Sequence, residues 1–265
     1  MASDYIKEKN KKNYIKLQEL IKDMPSFCGK YFLGIEHTTS LLTRLNYAYD
    51  LNVFFYFLVN EIDSFKDKSI FDITANDLET ISTVDLEHFL NYLSYYNYYG
   101  KDCSNNEKAK ARKLSAVKSL FQYLFNKDMI SSNITQKIKA PKLHEKEIIR
   151  LEIDEIVKLL NIAESGDDLS EGQKRFHKDL KERDLAIFTL FLGTGIRISE
   201  FVGLNLQDIN FENNSFKVLR KGGNEAILYF SDEVADALKP YLKWRAEKLA
   251  EKNIQEDALF ISLQL

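Results

Sequence analysis

Cysteine is almost missing from this chain. The two present among 265 residues, Cys28 and Cys103, lie far apart with no CxxC spacing. That excludes a disulfide framework and a cysteine-built zinc site, and it suits a reduced compartment. Proline is nearly as scarce, at three residues. No internal repeats or low-complexity tracts are evident. The opening stretch, MASDYIKEKNKKNY, has no apolar core of the kind a signal peptide needs. No uninterrupted apolar run approaches the length of a membrane span. The chain therefore reads as cytoplasmic, with no membrane partner. Histidine is sparse too: His37, His88, His144 and His177 are all there are. They read as surface or satisfied core residues.

Excess charge of one sign is also lacking, since the formal net charge is only −3. The whole-chain balance thus does not announce a polyanion. Its distribution does. Residues 101–150 carry 12 Lys+Arg against 5 Asp+Glu, and residues 1–30 carry 7 against 4. A basic centre in an otherwise acidic chain suggests a face for a polyanion or, equally, a solvated helix face. Hydrophobic residues make up 45% of the chain, enough for a packed core, and the length suits one large or two ordinary domains.

The most informative stretch is KERDLAIFTLFLGTGIRISEFVGLNLQDINFENNSFKVLRK, residues 181–221. The apolar run Leu185 to Leu192 leads into a glycine turn, Gly193-Thr194-Gly195. Arg197 follows, and Glu200 comes three residues later, a spacing that puts both on one helix face. Phe216 to Arg220 is strand-like. Lys221-Gly222-Gly223-Asn224 has the turn chemistry of a β-hairpin, since glycine and asparagine tolerate positive φ, and Glu225 to Phe230 returns as the second strand.

LGTGIRISEFVGLNLQDI followed by a hairpin lysine resembles the first catalytic box and β-hairpin lysine of the tyrosine recombinases, the phage-integrase and Xer group. A second stretch agrees with it. In NEKAKARKLSAVKSLFQYLFNKDMI, residues 106–130, Leu114, Val117, Phe121 and Leu124 form an apolar stripe, and Lys110, Arg112, Lys113 and Lys118 fall largely off it. RKLSAVKSLFQYL resembles the last major DNA-facing helix of the recombinase core-binding domain. Such cations would bind phosphates, adding salt-dependent affinity without reading sequence. Residues 131–150, with Lys139 and Lys142, have little periodicity and resemble the family's interdomain linker, which crosses DNA between two lobes.

Along the rest of the chain, periodicity predicts a lysine-rich helix from Asp4 to Asp23, ended by Pro25 and Gly29. Thr38 or Thr39 is expected to cap a long helix to about Glu61, with Leu42, Leu45, Tyr49, Val53 and Tyr56 on one stripe. Phe54, Phe55, Phe57 and Leu58 predict a buried far end. Asp63 to Thr74 is turn-rich. Ser82 with Asp85, and Ser104 with Glu107, read as capping boxes. Tyr95-Tyr96-Asn97-Tyr98-Tyr99 either closes a helical core, the favoured reading, or stacks on nucleic acid. Leu151 to Ala163 reads as a helix opening a second domain, and residues 164–181 as a polar surface insertion. Ser231 is expected to cap a helix to about Glu251, with Pro240 kinking it or lying near its start. Residues 258–262 resemble the family's "LF-S" segment.

The resemblance carries a mechanism. A tyrosine attacks a DNA phosphate and forms a 3′-phosphotyrosyl link without metal or other cofactor. Arginines clamp the non-bridging oxygens, where fork geometry matches phosphate. A hairpin lysine protonates the departing 5′ oxygen, an effect of roughly 10²–10⁴-fold for such groups. Carried over residue by residue, this assigns Arg197 to the clamp, Lys221 to the general acid and Glu200 to orienting Arg197. Arg220, beside Lys221, joins the phosphate contacts. The chain departs from the family pattern after the hairpin, where Asn224-Glu225-Ala226 stands in place of further basic residues.

The larger departure is an absence. The family continues with a His-x-x-Arg box and the nucleophilic tyrosine, whereas all four histidines here precede Arg197. Only Tyr229 and Tyr241 follow it, in positions that read as strand and helix packing. Arg245 does not occupy the place of the second clamp arginine in the family order.

The expected fold is mainly α. Residues 1–138 would form a helical, SAM-like DNA-binding domain and 139–150 a linker. Residues 151–265 would form the first part of a mixed α/β catalytic domain with a small antiparallel sheet at 208–230. The expected function is that of a site-specific DNA recombinase acting on double-stranded DNA, here without the nucleophile, so that it binds but does not cut. The alternative is a shortened, non-catalytic DNA-binding protein of integrase descent. Family members act as tetramers on DNA through an exchanged C-terminal segment, so this chain is expected to be a monomer without DNA.

Overall fold

A computed structural model describes residues 4–143, 147–220 and 223–262. The chain divides into two compact units, Glu8–Lys146 and Glu147–Leu265, the second including Met1–Lys7. Most of the described residues are helical, and two small antiparallel sheets complete the fold. Among the described residues no helix is long and apolar enough to cross a membrane.

The amino-terminal unit is built from α1 (Asp4–Lys22), α2 (Phe27–Gly34), α3 (Leu41–Glu61), the single turn α4 (Ala75–Leu78), α5 (Thr83–Tyr92), the hairpin β1 (Tyr96–Tyr98) and β2 (Lys101–Cys103), and α6 (Glu107–Asn126). Local chemistry sets several of these boundaries. Asp85 N–H donates to Ser82 Oγ at 3.2 Å, and Ser82 N–H donates to Asp85 Oδ2 at 2.8 Å. This is the expected capping box, and Thr74 with Asp77 forms another ahead of α4.

Two other caps differ from expectation. Ser40 caps α3, accepting from Thr43 N at 3.1 Å, while the hydroxyls of Thr38 and Thr39 donate back to Ile35 O and close the preceding turn. Asn106, not Ser104, caps α6, accepting from Ala109 N at 3.0 Å. In both places several Ser, Thr or Asn residues crowd the boundary, and the local turn decides which one caps.

α3 and α6 pack together through the centre of this unit. Phe54, Phe55, Phe57 and Leu58 are fully buried, as the sequence suggests. Phe54 meets Phe89 of α5 and Phe121 of α6, with ring centroids 5.2 and 6.4 Å apart. Leu114, Val117, Phe121 and Leu124 turn inward as one stripe. Leu42 and Tyr49, expected on the inner stripe of α3, are exposed instead. The tyrosine run becomes a hairpin. Tyr99 and Gly100 both take positive φ at its tip, and Gly100 N–H donates to Asn97 Oδ1 at 2.8 Å. Tyr96 is buried against Tyr92, and Tyr98 packs on Tyr56, whereas Tyr95 and Tyr99 are exposed. Tyr96 and Tyr98 thus close onto the helical core, and Tyr99 lies over Tyr56 at its edge.

The carboxy-terminal unit contains α7 (Ile153–Ser165), α8 (Glu171–Thr194), the single turn α9 (Ile198–Phe201), the strands β3 (Ile209–Asn210), β4 (Ser215–Leu219) and β5 (Glu225–Tyr229), and α10 (Asp232–Lys252). The strands run in the order β3-β4-β5, with Phe216 opposite Leu228 and Lys217 opposite Ile227. The polar stretch 164–181 is largely helical and lies on the surface. Ser170 caps α8, and Glu171 to Lys181 forms its first turns. Its polar composition matches its exposure.

Ala186 and Leu190 of α8, Phe216 and Val218 of β4, and Val234, Leu238 and Tyr241 of α10 form the core. α8 and α10 approach closely: a Cβ at Gly193 would lie 2.7 Å from Val234 Cγ2. Pro240 falls well inside α10 rather than near its start.

Candidate functional site

The Arg197 turn is fixed at both ends. Gly195 ends α8 in the left-handed conformation at φ 61°, and its N–H donates to Phe191 O at 2.9 Å. Ile196 is buried behind it. Arg197 then starts α9, and Glu200 serves it twice. Its carboxylate accepts from the Arg197 backbone N–H at 3.2 Å and from Arg197 Nη1 at 2.9 Å. Glu200 is 5% exposed, whereas the Arg197 side chain is 69% exposed. The carboxylate is thus a buried anchor and the guanidinium an outward-facing donor.

Burial raises the Glu200 pKa. The hydrogen bonds from Arg197 and the charges of Arg197 and Arg220 outweigh it and hold the carboxyl below the usual range. Arg220 therefore acts on the same carboxylate from the end of β4. Its backbone closes the hairpin tip, accepting from Gly223 N at 3.1 Å and donating to Asn224 O at 2.8 Å. Arg197 and Glu200 are brought together, and the charge of Arg220 bears on the same carboxylate more weakly. Lys221, the expected general acid, lies outside the described residues, as does His144.

The segment after α10 is tied to this turn. Leu259 N–H donates to Leu204 O, and Leu206 N–H to Asp257 O, both at 2.8 Å. Arg245 is buried and donates to Ala258 O at 2.7 and 3.1 Å and to Glu256 O at 2.6 Å. It is committed to carbonyls of the segment after α10. Tyr241 is fully buried, and its hydroxyl donates to Leu259 O at 2.9 Å and accepts from Ile261 N at 3.0 Å. Burial pushes its pKa up to about 12. Tyr241 packs, as expected. Tyr229 does not, since its side chain projects from β5 into solvent. Sequence reasoning missed this anchoring. Its only trace was an arginine and a tyrosine four apart on the buried face of α10.

On α6 the expected phosphate-binding cations are not a free row. Lys110 Nζ donates to Ser94 Oγ at 2.8 Å, and Lys118 Nζ to Ile138 O at 2.6 Å. Lys113 differs from its expected place off the apolar stripe: it is buried, with Nζ 3.0 Å from Asp50 Oδ1. Arg112 Nη1 bonds the other oxygen, Asp50 Oδ2. Burial raises the Asp50 pKa against the pull of Lys113 and Arg112. Asp50 was overlooked, although a lone carboxylate amid the apolar residues of α3 was a visible signal. Lys139 and Lys142 are exposed beyond Ile138, and Lys108, also overlooked, is exposed on α6 one turn before Arg112.

Two family models match the chain: the N-terminal SAM-like domain of phage integrases over residues 30–128, and the phage integrase family over residues 149–264. A tyrosine recombinase XerC of Caldanaerobacter subterraneus is 35% identical over 83% of this chain and 57% of its own length. A tyrosine recombinase XerS of Streptococcus thermophilus is 30% identical over 93% of this chain and 75% of its own. The chain thus spans little more than half of the first relative. Among solved structures, XerH recombinase bound to palindromic difH substrate in a post-cleavage complex matches with a TM-score of 0.57. Its identity is 20%, and the match covers 85% of this chain and 58% of that one. A lambda integrase dimer bound to a COC′ core site matches with a TM-score of 0.51 at 15% identity, over 90% and 56%. At these identities the two structures speak for the fold alone. Together with the XerS relative, the two matched models lead to one conclusion: the chain belongs to the tyrosine recombinase, or phage integrase, family.

Proposed function

We propose that this chain is the DNA-binding and arginine-bearing part of a site-specific recombinase that cuts and rejoins double-stranded DNA through a 3′-phosphotyrosyl intermediate. The observation that carries the reading is the Arg197 turn. An exposed guanidinium is fixed by a buried carboxylate. Preorganised positive charge of this kind is suited to a phosphate gaining charge in its transition state. In this reading Arg197 clamps the scissile phosphate, Glu200 orients it, and Lys221 delivers a proton to the leaving oxygen. No metal takes part. Lys110, Arg112, Lys118, Lys139, Lys142 and Arg220 bind the surrounding backbone, while Lys113 acts inside the fold through Asp50.

The 265 residues include no candidate nucleophile. Tyr241 is buried and bonded at both ends of its hydroxyl, and Tyr229 lies on a strand away from the family's order. In this reading these residues bind duplex DNA in the cytoplasm as a monomer without cutting it. The test is a titration of a mixed-sequence duplex at 50 and 200 mM salt, followed by a denaturing gel for covalent adducts. Binding that weakens steeply with salt and leaves no adduct is the expected result. Salt-independent affinity, or a trapped adduct, contradicts it.

A further inference from the structure

The pair of cations on Asp50 does more than neutralise a buried charge. Asp50 is fully buried on α3, where its neighbours Leu51, Phe54 and Ala48 are apolar. A carboxylate in such a place requires a partner. Lys113 supplies one: its side chain is 9% exposed, and its ammonium bonds Oδ1 at 3.0 Å. That contact alone brings the local charge to zero. The second oxygen is given to Arg112, whose side chain is 45% exposed. Charge balance does not call for this bond. Its consequence is geometric, since it ties one nitrogen of a surface guanidinium to a rigid point inside the helix pair.

A guanidinium has five N–H donors in a planar fork, and Asp50 engages only Nη1. Arg112 has no other partner among the described residues, so Nε and Nη2 remain available. Arg112 also shares the outward face of α6 with Lys108, one turn before it, and with Ser115, one turn after; both are exposed. A side chain held in place in advance loses less rotational freedom when it binds than a free one.

We propose that Asp50 is a positioning residue for phosphate binding, holding Arg112 so that its unused fork meets a DNA phosphate, with Lys113 serving to neutralise Asp50. This rests on the DNA-binding reading above, but its test can fail separately. A charge count opposes it, because removing a carboxylate beside a polyanion should tighten binding. Positioning requires the reverse.

The experiment measures affinity for a mixed-sequence duplex between 50 and 200 mM NaCl, using the whole chain and several variants. Asp50→Asn is expected to bind more weakly despite its gain in positive charge. Because it strands Lys113 and invites unfolding, the paired variant Asp50→Leu/Lys113→Met removes both charges, leaves net charge unchanged, and offers apolar groups to the buried site. With folding checked by circular dichroism, this pair should lower the slope of log K against log salt by about 0.9, the value for one phosphate contact. Arg112→Ala should lower it equally, and adding Arg112→Ala to the pair should lower it no further. If the pair matches the unaltered chain while Arg112→Ala is weakened, or if Asp50→Asn binds more tightly, the positioning role is wrong. If the unaltered chain shows no salt-dependent binding, the DNA reading itself falls.

Discussion

The two units spend their apolar residues differently. Among the described residues the amino-terminal unit gathers 31 buried apolar side chains into one core, whereas the second core of the chain, in the carboxy-terminal unit, has 12. The carboxy-terminal unit also leaves more of its large apolar groups in water. Ile149 is 97% exposed, and Ile153, Phe176, Ile198 and Ile227 are all well exposed. α7 has an apolar face, yet Ala163 is its only buried residue among those described. The first unit is thus held by volume, with interlocked rings around Phe54 and Phe57. The second is held by a thin core and by polar ties: Glu200 to Arg197, and Arg245 and Tyr241 to the segment after α10. Substitutions that remove apolar volume should hurt the first unit most, and substitutions that break buried polar ties should dominate in the second.

The sharpest way to break this contrast is Phe54→Ala. The ring is fully buried against Phe55, Phe89 and Phe121, so a loss of about 3–5 kcal/mol is expected from lost transfer energy plus the cavity. A urea titration followed by circular dichroism measures it. A loss under about 1 kcal/mol would mean that the rings repack and that this core is not held by volume.

Next in size is Arg245→Met. It keeps much of the aliphatic volume and removes every bond to Ala258 O and Glu256 O. Hydrogen bonds made by a charged donor contribute about 1.5–3 kcal/mol, so a loss near 2 kcal/mol is expected. Hydrogen exchange at Leu259 N–H, which donates to Leu204 O, should quicken with it. Unchanged exchange there would show that the segment is held by packing instead.

These particulars also show how far the residues alone could be read. The stripe on α6, the Ser82–Asp85 box and the hairpin around Gly223 were legible because each depends on near neighbours in the chain. So was the Arg197–Glu200 relation, three apart on one turn. The fate of the α6 cations was not. Whether a lysine beside an apolar stripe faces water or a buried carboxylate depends on Asp50, 63 positions away. Ser40 and Asn106 replaced the expected caps because each boundary held competing hydroxyls or amides. The helix over residues 171–181 was not legible either, because a helix exposed on most sides carries almost no apolar period.

A smaller effect tests the polar side of the comparison through pH. The Glu200 carboxyl is held below its ordinary pKa in the folded state, so the unfolded chain takes up the proton more readily. Its contribution is complete above the unfolded value, about 4.3, and is lost as pH falls through the folded value. Glu200→Gln should cost about 1 kcal/mol at neutral pH, a figure discounted because Arg197 is largely exposed. Below about pH 4 the variant and the unaltered chain should converge. Stability curves that stay parallel through that window would remove the ion pair as the source of the difference.

The smallest expected effect is the most pointed, because it sets one phenylalanine against another. Phe176 on α8 is 64% exposed, against none for Phe54. Burial, not residue type, sets the hydrophobic contribution, so Phe176→Ser should shift stability by no more than about 0.5 kcal/mol. It should also raise solubility, since the ring adds to the apolar groups that this unit leaves in water. A cost above about 1.5 kcal/mol would mean that Phe176 is covered in solution, and the thin core of the carboxy-terminal unit would then be thicker than its own side chains make it.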